Sequence, residues 1–135
     1  MSTKIFVNLP VKDLNTSIGF FEKLGFSINP QFTDETAACV VISDDIYTML
    51  LTHPKFKEFT PKDISDATKT SEVLTALSAE SKEKVDTMVD TALKAGGTEV
   101  RPAEDHGFMY GRAFNDPDGH IWEIIWMDPN AVMPG

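Results

Sequence analysis

The sequence is short of cysteine, of basic charge and of long apolar runs, and each shortage excludes a class of protein. Cys39 is the single cysteine among 135 residues, so no disulfide can close within the chain. Its place in the apolar run ACVVI reads as a small buried hydrophobe rather than a nucleophile. Lys and Arg number 12 against 21 Asp and Glu, a formal charge of -9. That balance repels phosphate backbones and anionic lipid heads and supplies no basic stripe, which argues against nucleic acid and membrane surfaces as partners. The apolar run at the start extends only from Ile5 to Val7, far short of a signal segment or a membrane span, and a cytoplasmic location is expected. No Pro, Gly or Ser tract divides the chain, and its length suits one compact domain or two packed half-domains. What is present is apolar: 41% hydrophobic residues with 9 Phe, enough to build a core and to argue against disorder.

The order of elements repeats. Lys4 to Val11 is β-prone, and Asp13 can cap a helix in which Leu14, Ile18, Phe21 and Leu24 form one stripe before Gly25 ends it. Phe26 to Phe32, Ala37 to Ile42 and Ile46 to Thr52 read as three strands separated by Asp- and Ser-rich turns. After a polar stretch from His53 to Ser71, Val73 to Ala79 reads as a strand. Ser81 can cap a second helix with Val85, Met88, Val89, Ala92 and Leu93 on one face, ended by Gly96-Gly97. Short strands follow around Thr98 to Arg101, Met109 to Asn115 and His120 to Met127. The strand, helix, three-strand order thus occurs twice, over modules 3–52 and 72–128 joined by a connecting segment, 53–71. One helix per sheet covers one face and leaves the other to line something.

The string Asp116-Pro117-Asp118-Gly119 suits a tight turn between two strands. With those four residues as the loop, Asn115 pairs with His120, which sets Arg112 opposite Glu123 and Phe114 opposite Ile121. Tyr110, Arg112, Phe114, Ile121, Glu123 and Ile125 then share one face, with Trp122, Ile124 and Trp126 beneath the helix; a slip of one residue reverses this.

NLPVKDLNTSIGFFEKLGF near the start and FNDPDGHIWEI near the end resemble the vicinal oxygen chelate superfamily, which includes glyoxalases, bleomycin-resistance proteins, fosfomycin-resistance transferases and extradiol dioxygenases. The wider string GFMYGRAFNDPDGHIWE is similar to a glyoxalase-like bacterial subgroup. The resemblance covers nearly the whole chain and implies an α+β fold, two tandem βαβββ modules forming a curved mixed sheet around a pocket with the helices outside. It also implies four metal-ligand positions, which fall here at Phe6, Leu50, Leu74 and Glu123. Three of the four are apolar, and one carboxylate cannot offset the desolvation of a divalent ion, so no metal or other cofactor is expected. His53, His106 and His120 show no metal-binding spacing.

Glu123 is left as a cross-strand partner of Arg112, or as a pocket carboxylate able to act as a general base. Phe6, Leu50, Leu74, Tyr110 and Phe114 are expected as pocket walls, with Asn8 and Arg112 as polar anchors. The expected function is binding of a small, partly apolar molecule in the manner of bleomycin-resistance proteins. The alternative is a lyase, isomerase or dioxygenase of the glyoxalase type, working through a metal or through Glu123. Exposed sheet edges and the habit of the resembled family imply a homodimer.

Overall fold

The computed structural model describes residues 2–131. The architecture is α+β, with two mixed sheets. The chain divides into two compact units, Met1–Asp66 and Ala67–Gly135. Residues 53–66, expected as part of a connector, belong to the first unit.

In the first unit, β1 (Ile5–Val11) leads into α1 (Leu14–Lys23). The helix starts where the sequence places its cap, since the Asp13 carboxylate accepts a hydrogen bond from the Thr16 N–H at 3.1 Å. Gly25, at φ +99°, turns the chain out of the helix. β2 (Ser27–Asn29), β3 (Ala37–Ser43) and β4 (Ile46–Thr52) complete a sheet of order β1-β4-β3-β2, with β1 parallel to β4. The expected strand from Phe26 to Phe32 stops at Asn29 because Pro30 has no N–H for a ladder. Pro30–Phe32 forms a 3₁₀ turn instead. Register puts Leu9, Val11, Ala38, Val40, Thr48 and Leu50 on one face. All six are buried, and with Phe20 and Phe21 of α1 they form the first core. The opposite face carries Phe6, Asn8, Tyr47, Met49 and Leu51. A helix that the sequence pattern did not reveal, α2 (His53–Lys57), follows β4 directly, with Pro54 in its first turn where an absent N–H costs nothing. It packs against β1 and β4.

In the second unit, β5 (Leu74–Ser78) precedes α3 (Lys82–Lys94), capped by the Ser81 hydroxyl. Val85, Val89 and Ala92 are its buried stripe. β6 (Thr98–Glu99), β7 (Glu104–Asp105), β8 (Met109–Asn115) and β9 (Ile121–Met127) follow. The order is β5-β9-β8-β6, with β7 also on β8 and β5 parallel to β9. The strand expected around Thr98 to Arg101 ends at Glu99, and β7 is a further short strand beyond Pro102.

The hairpin register differs from the expectation by one residue. Asn115 pairs with Ile121, so the loop holds five residues and His120 stands in it rather than in the strand. Asp116 causes this. Its Oδ1 accepts from the N–H groups of Asp118 and His120, each at 3.0 Å, while Oδ2 accepts from the indole N–H of Trp122 at 3.1 Å. The carboxylate folds the loop around itself, and Gly119 closes it at φ +90°. A Cβ there would lie 2.9 Å from the Ala67 carbonyl oxygen, so the position needs glycine twice over. The slip exchanges faces: Tyr110, Arg112 and Phe114 lie with Trp122 and Ile124 on the α3 side, and Glu123 lies on the open side.

Candidate functional site

Glu123 projects from the centre of β9. Its neighbours in register are Ala76 on β5 and Ala113 on β8, and Gly111 stands opposite Ile125. Beside Glu123 lies a depression of 240 Å³, walled by Met109, Gly111, Arg112 and Ile125 and rimmed by Arg101 and Glu104. Arg101, in the connection between β6 and β7, donates from NH2 to Glu123 Oε1 at 2.6 Å and from Nε to Glu104 Oε1 at 3.3 Å. Glu104 also lies 3.6 Å from the His106 ring. The bond to the Glu123 carboxylate holds the Arg101 guanidinium above its usual value, against the opposing effect of burial. The expected Arg112–Glu123 pair is therefore replaced by Arg101–Glu123.

Arg112 has a different task. Its side chain, 13% exposed, meets Asp86 at 3.1 Å and Asp90 at 2.9 Å on α3, and Glu99 at 2.8 Å on β6. Burial works against its charge, but these three carboxylates overcome it and raise its affinity for the proton. The Tyr110 hydroxyl donates to Asp86 at 2.6 Å, and Phe114 is buried in the core. Tyr110 and Phe114 thus fasten the sheet to α3 instead of walling an open pocket, while Arg112 both ties the sheet to α3 and lines the depression beside Glu123, as expected of a pocket residue. Leu50 is likewise fully buried on the α1 side. Leu74, 57% exposed, does share the open face with Glu123.

On the first sheet, Phe6 and Asn8 share the open face as expected. The Phe6 ring stacks on Tyr47 with centroids 4.7 Å apart and planes 10° from parallel. Asn8 opens onto a cavity of 420 Å³ that is otherwise lined by Leu51, Phe56, Phe59 and Thr60. Arg101, Glu104, Phe56 and Phe59 were not selected from sequence. Arg101 and Glu104 sit in an irregular connection, where no periodicity assigns a face. The two phenylalanines lie in a stretch whose lysines and prolines look like a linker.

The described residues contain no group of three His, Cys, Asp or Glu placed to hold a metal ion, and no helix long and apolar enough to cross a membrane.

Two sheets, each with a parallel first and last strand and a helix on one face, define a duplicated βαβββ protein. The chain belongs to the Glyoxalase/Bleomycin resistance protein/Dioxygenase superfamily, whose sequence profile matches residues 5–124. Solved structures agree. A hypothetical protein of S. aureus is 28% identical over 93% of this chain and 94% of its own, with a TM-score of 0.79. A superfamily enzyme from Burkholderia phytofirmans PsJN shares 16% identity over 93% of this chain and 99% of its own, at 0.77. A bleomycin resistance determinant encoded on the transposon Tn5 shares 21% over 94% and 99%, at 0.65. The last two establish likeness of fold alone. A comparison with curated proteins gives no match.

Proposed function

We propose that this chain binds a small, partly apolar molecule and does so without a resident metal, acting as a homodimer in the cytoplasm. The observation that carries the binding role is the 420 Å³ cavity of the first unit, in which, among the described residues, Leu51, Phe56 and Phe59 supply apolar wall and Asn8 and Thr60 the polar groups. Few polar anchors in an apolar hollow are what a small-molecule site needs for orientation. The family's metal chemistry does not fit the donors present. Glu123 is engaged by Arg101, its lateral neighbours are Ala76 and Ala113, and the other positions suggested by family resemblance are Phe6, Leu50 and Leu74. A divalent ion there would stand beside a guanidinium already paired with both Glu123 and Glu104, and with no group of three donors among the described residues it would be left under-coordinated.

Two measurements test this. Metal content by mass spectrometry, after incubation with Ni, Zn, Mn and Fe and desalting, should be far below stoichiometric. Stoichiometric metal that is lost in Glu123→Ala would reject the metal-free reading. Heat unfolding across a broad panel of small molecules should give protective ligands, and a panel without any would reject binding. Turnover of a glutathione hemithioacetal or a catechol, lost in Glu123→Gln, would make the chain an enzyme instead. Light scattering at micromolar concentration checks the dimer.

A further inference from the structure

Building on the small-molecule reading above, we infer that the cavity beside α2 takes an uncharged aromatic molecule carrying an N–H or O–H donor, its ring against Phe59 and its donor on Asn8 Oδ1. Phe59 is 69% exposed, a large ring left outside the core at the cavity's edge, where a second ring can cover it in offset or edge-on contact. Half-buried Phe56 and buried Leu51 supply the rest of the apolar wall. Asn8 gives the site its polarity. Its Nδ2 donates to the Phe6 carbonyl at 3.3 Å, which orients the amide and leaves Oδ1 without a protein partner among the described residues. An acceptor facing an apolar hollow selects a donor. Thr60 accepts from the Lys62 N–H at 3.1 Å, so its hydroxyl proton is available to an oxygen or ring nitrogen of the ligand.

The absence of charge in the lining excludes ions. Among the described residues no acidic or basic side chain lines the cavity. Lys55, whose ammonium lies 5.5 Å from the centre of the Phe59 ring, is paired with Glu58 at 3.5 Å. A carboxylate entering here would lose its water without gaining a free partner, and it would approach a chain of net charge -9.

The test uses the full chain and five probes: phenol and indole as aromatic donors, anisole as an aromatic without a donor, cyclohexanol as a donor without an aromatic ring, and benzoate as an anion. Binding is followed by protection against heat unfolding and by titration calorimetry. Phenol and indole should bind about tenfold or more tightly than the other three, and Phe59→Ala and Asn8→Leu should each weaken them by about tenfold. Both side chains are exposed, so the variants should keep the native circular dichroism and melting temperature. Equal binding of benzoate or cyclohexanol would overturn the inference, and so would indifference to both variants. Binding lost in Arg101→Ala would move the site to the second unit, overturning the inference while the small-molecule reading stands. Failure of all five probes also overturns the inference, and failure of the broad panel overturns the reading on which it rests.

Discussion

Asp116 shows how much a single buried carboxylate can fix. It is 4% exposed and accepts from two backbone N–H groups and one indole, so it sets the loop, the register and the position of Trp122 together. Asp116→Ala leaves three donors without an acceptor and should cost about 2–3 kcal/mol, read as a lower urea midpoint. Thr48 is the opposite case. It is 1% exposed, in the core under α1, and its hydroxyl has no partner among the described residues. Thr48→Val keeps the shape and removes an unpaired polar atom, so stability should rise by about 1 kcal/mol with no change in circular dichroism.

Among the elements, those with regular patterns were legible in the sequence, and a loop held by a buried side chain and a helix of five residues were not. β4 and β8 fall where alternation puts them, and both long helices start at the Asp13 and Ser81 caps. The β8–β9 register was misread because turn geometry alone favours a four-residue loop at Asp116–Gly119, and only the reach of Asp116 to the His120 N–H adds the fifth residue. That one step carried Tyr110, Arg112 and Phe114 to the helix side and left Glu123 for Arg101. Leu50 shows the same sensitivity, since period-2 packing turns an alignment error of one residue into the wrong face. α2 escaped notice because five residues are too few for a period. A smaller element carries a pH prediction. Asp34, before β3, accepts from the N–H and hydroxyl of Thr36 and the N–H of Ala37, which holds its carboxyl below the usual range. Because the folded form releases the proton at lower pH than the unfolded form, its contribution is complete above about pH 4. It is lost as the pH falls through the folded value. Urea midpoints measured between pH 5 and pH 2 should therefore fall more steeply for the native chain than for Asp34→Asn, and equal slopes would refute the assignment.

For the molecule as a whole, the duplicated order of elements hides a division of labour. The first unit has a hollow with neutral walls; the second has a carboxylate held by a guanidinium, and a sheet fastened to its helix by Arg112. The second unit also holds Trp122 and Trp126, the only two tryptophans in the chain, while the first has Tyr47 and phenylalanines. Indole emission is therefore a private signal of residues 67–135, and far-ultraviolet circular dichroism is shared by both halves. If the units melt in one cooperative step, the two signals will trace the same curve; a ligand seated beside Phe59 would then shift both. If they melt separately, the emission curve will ignore that ligand while the dichroism moves, so the placing of two indoles lets the halves be weighed independently without adding a label.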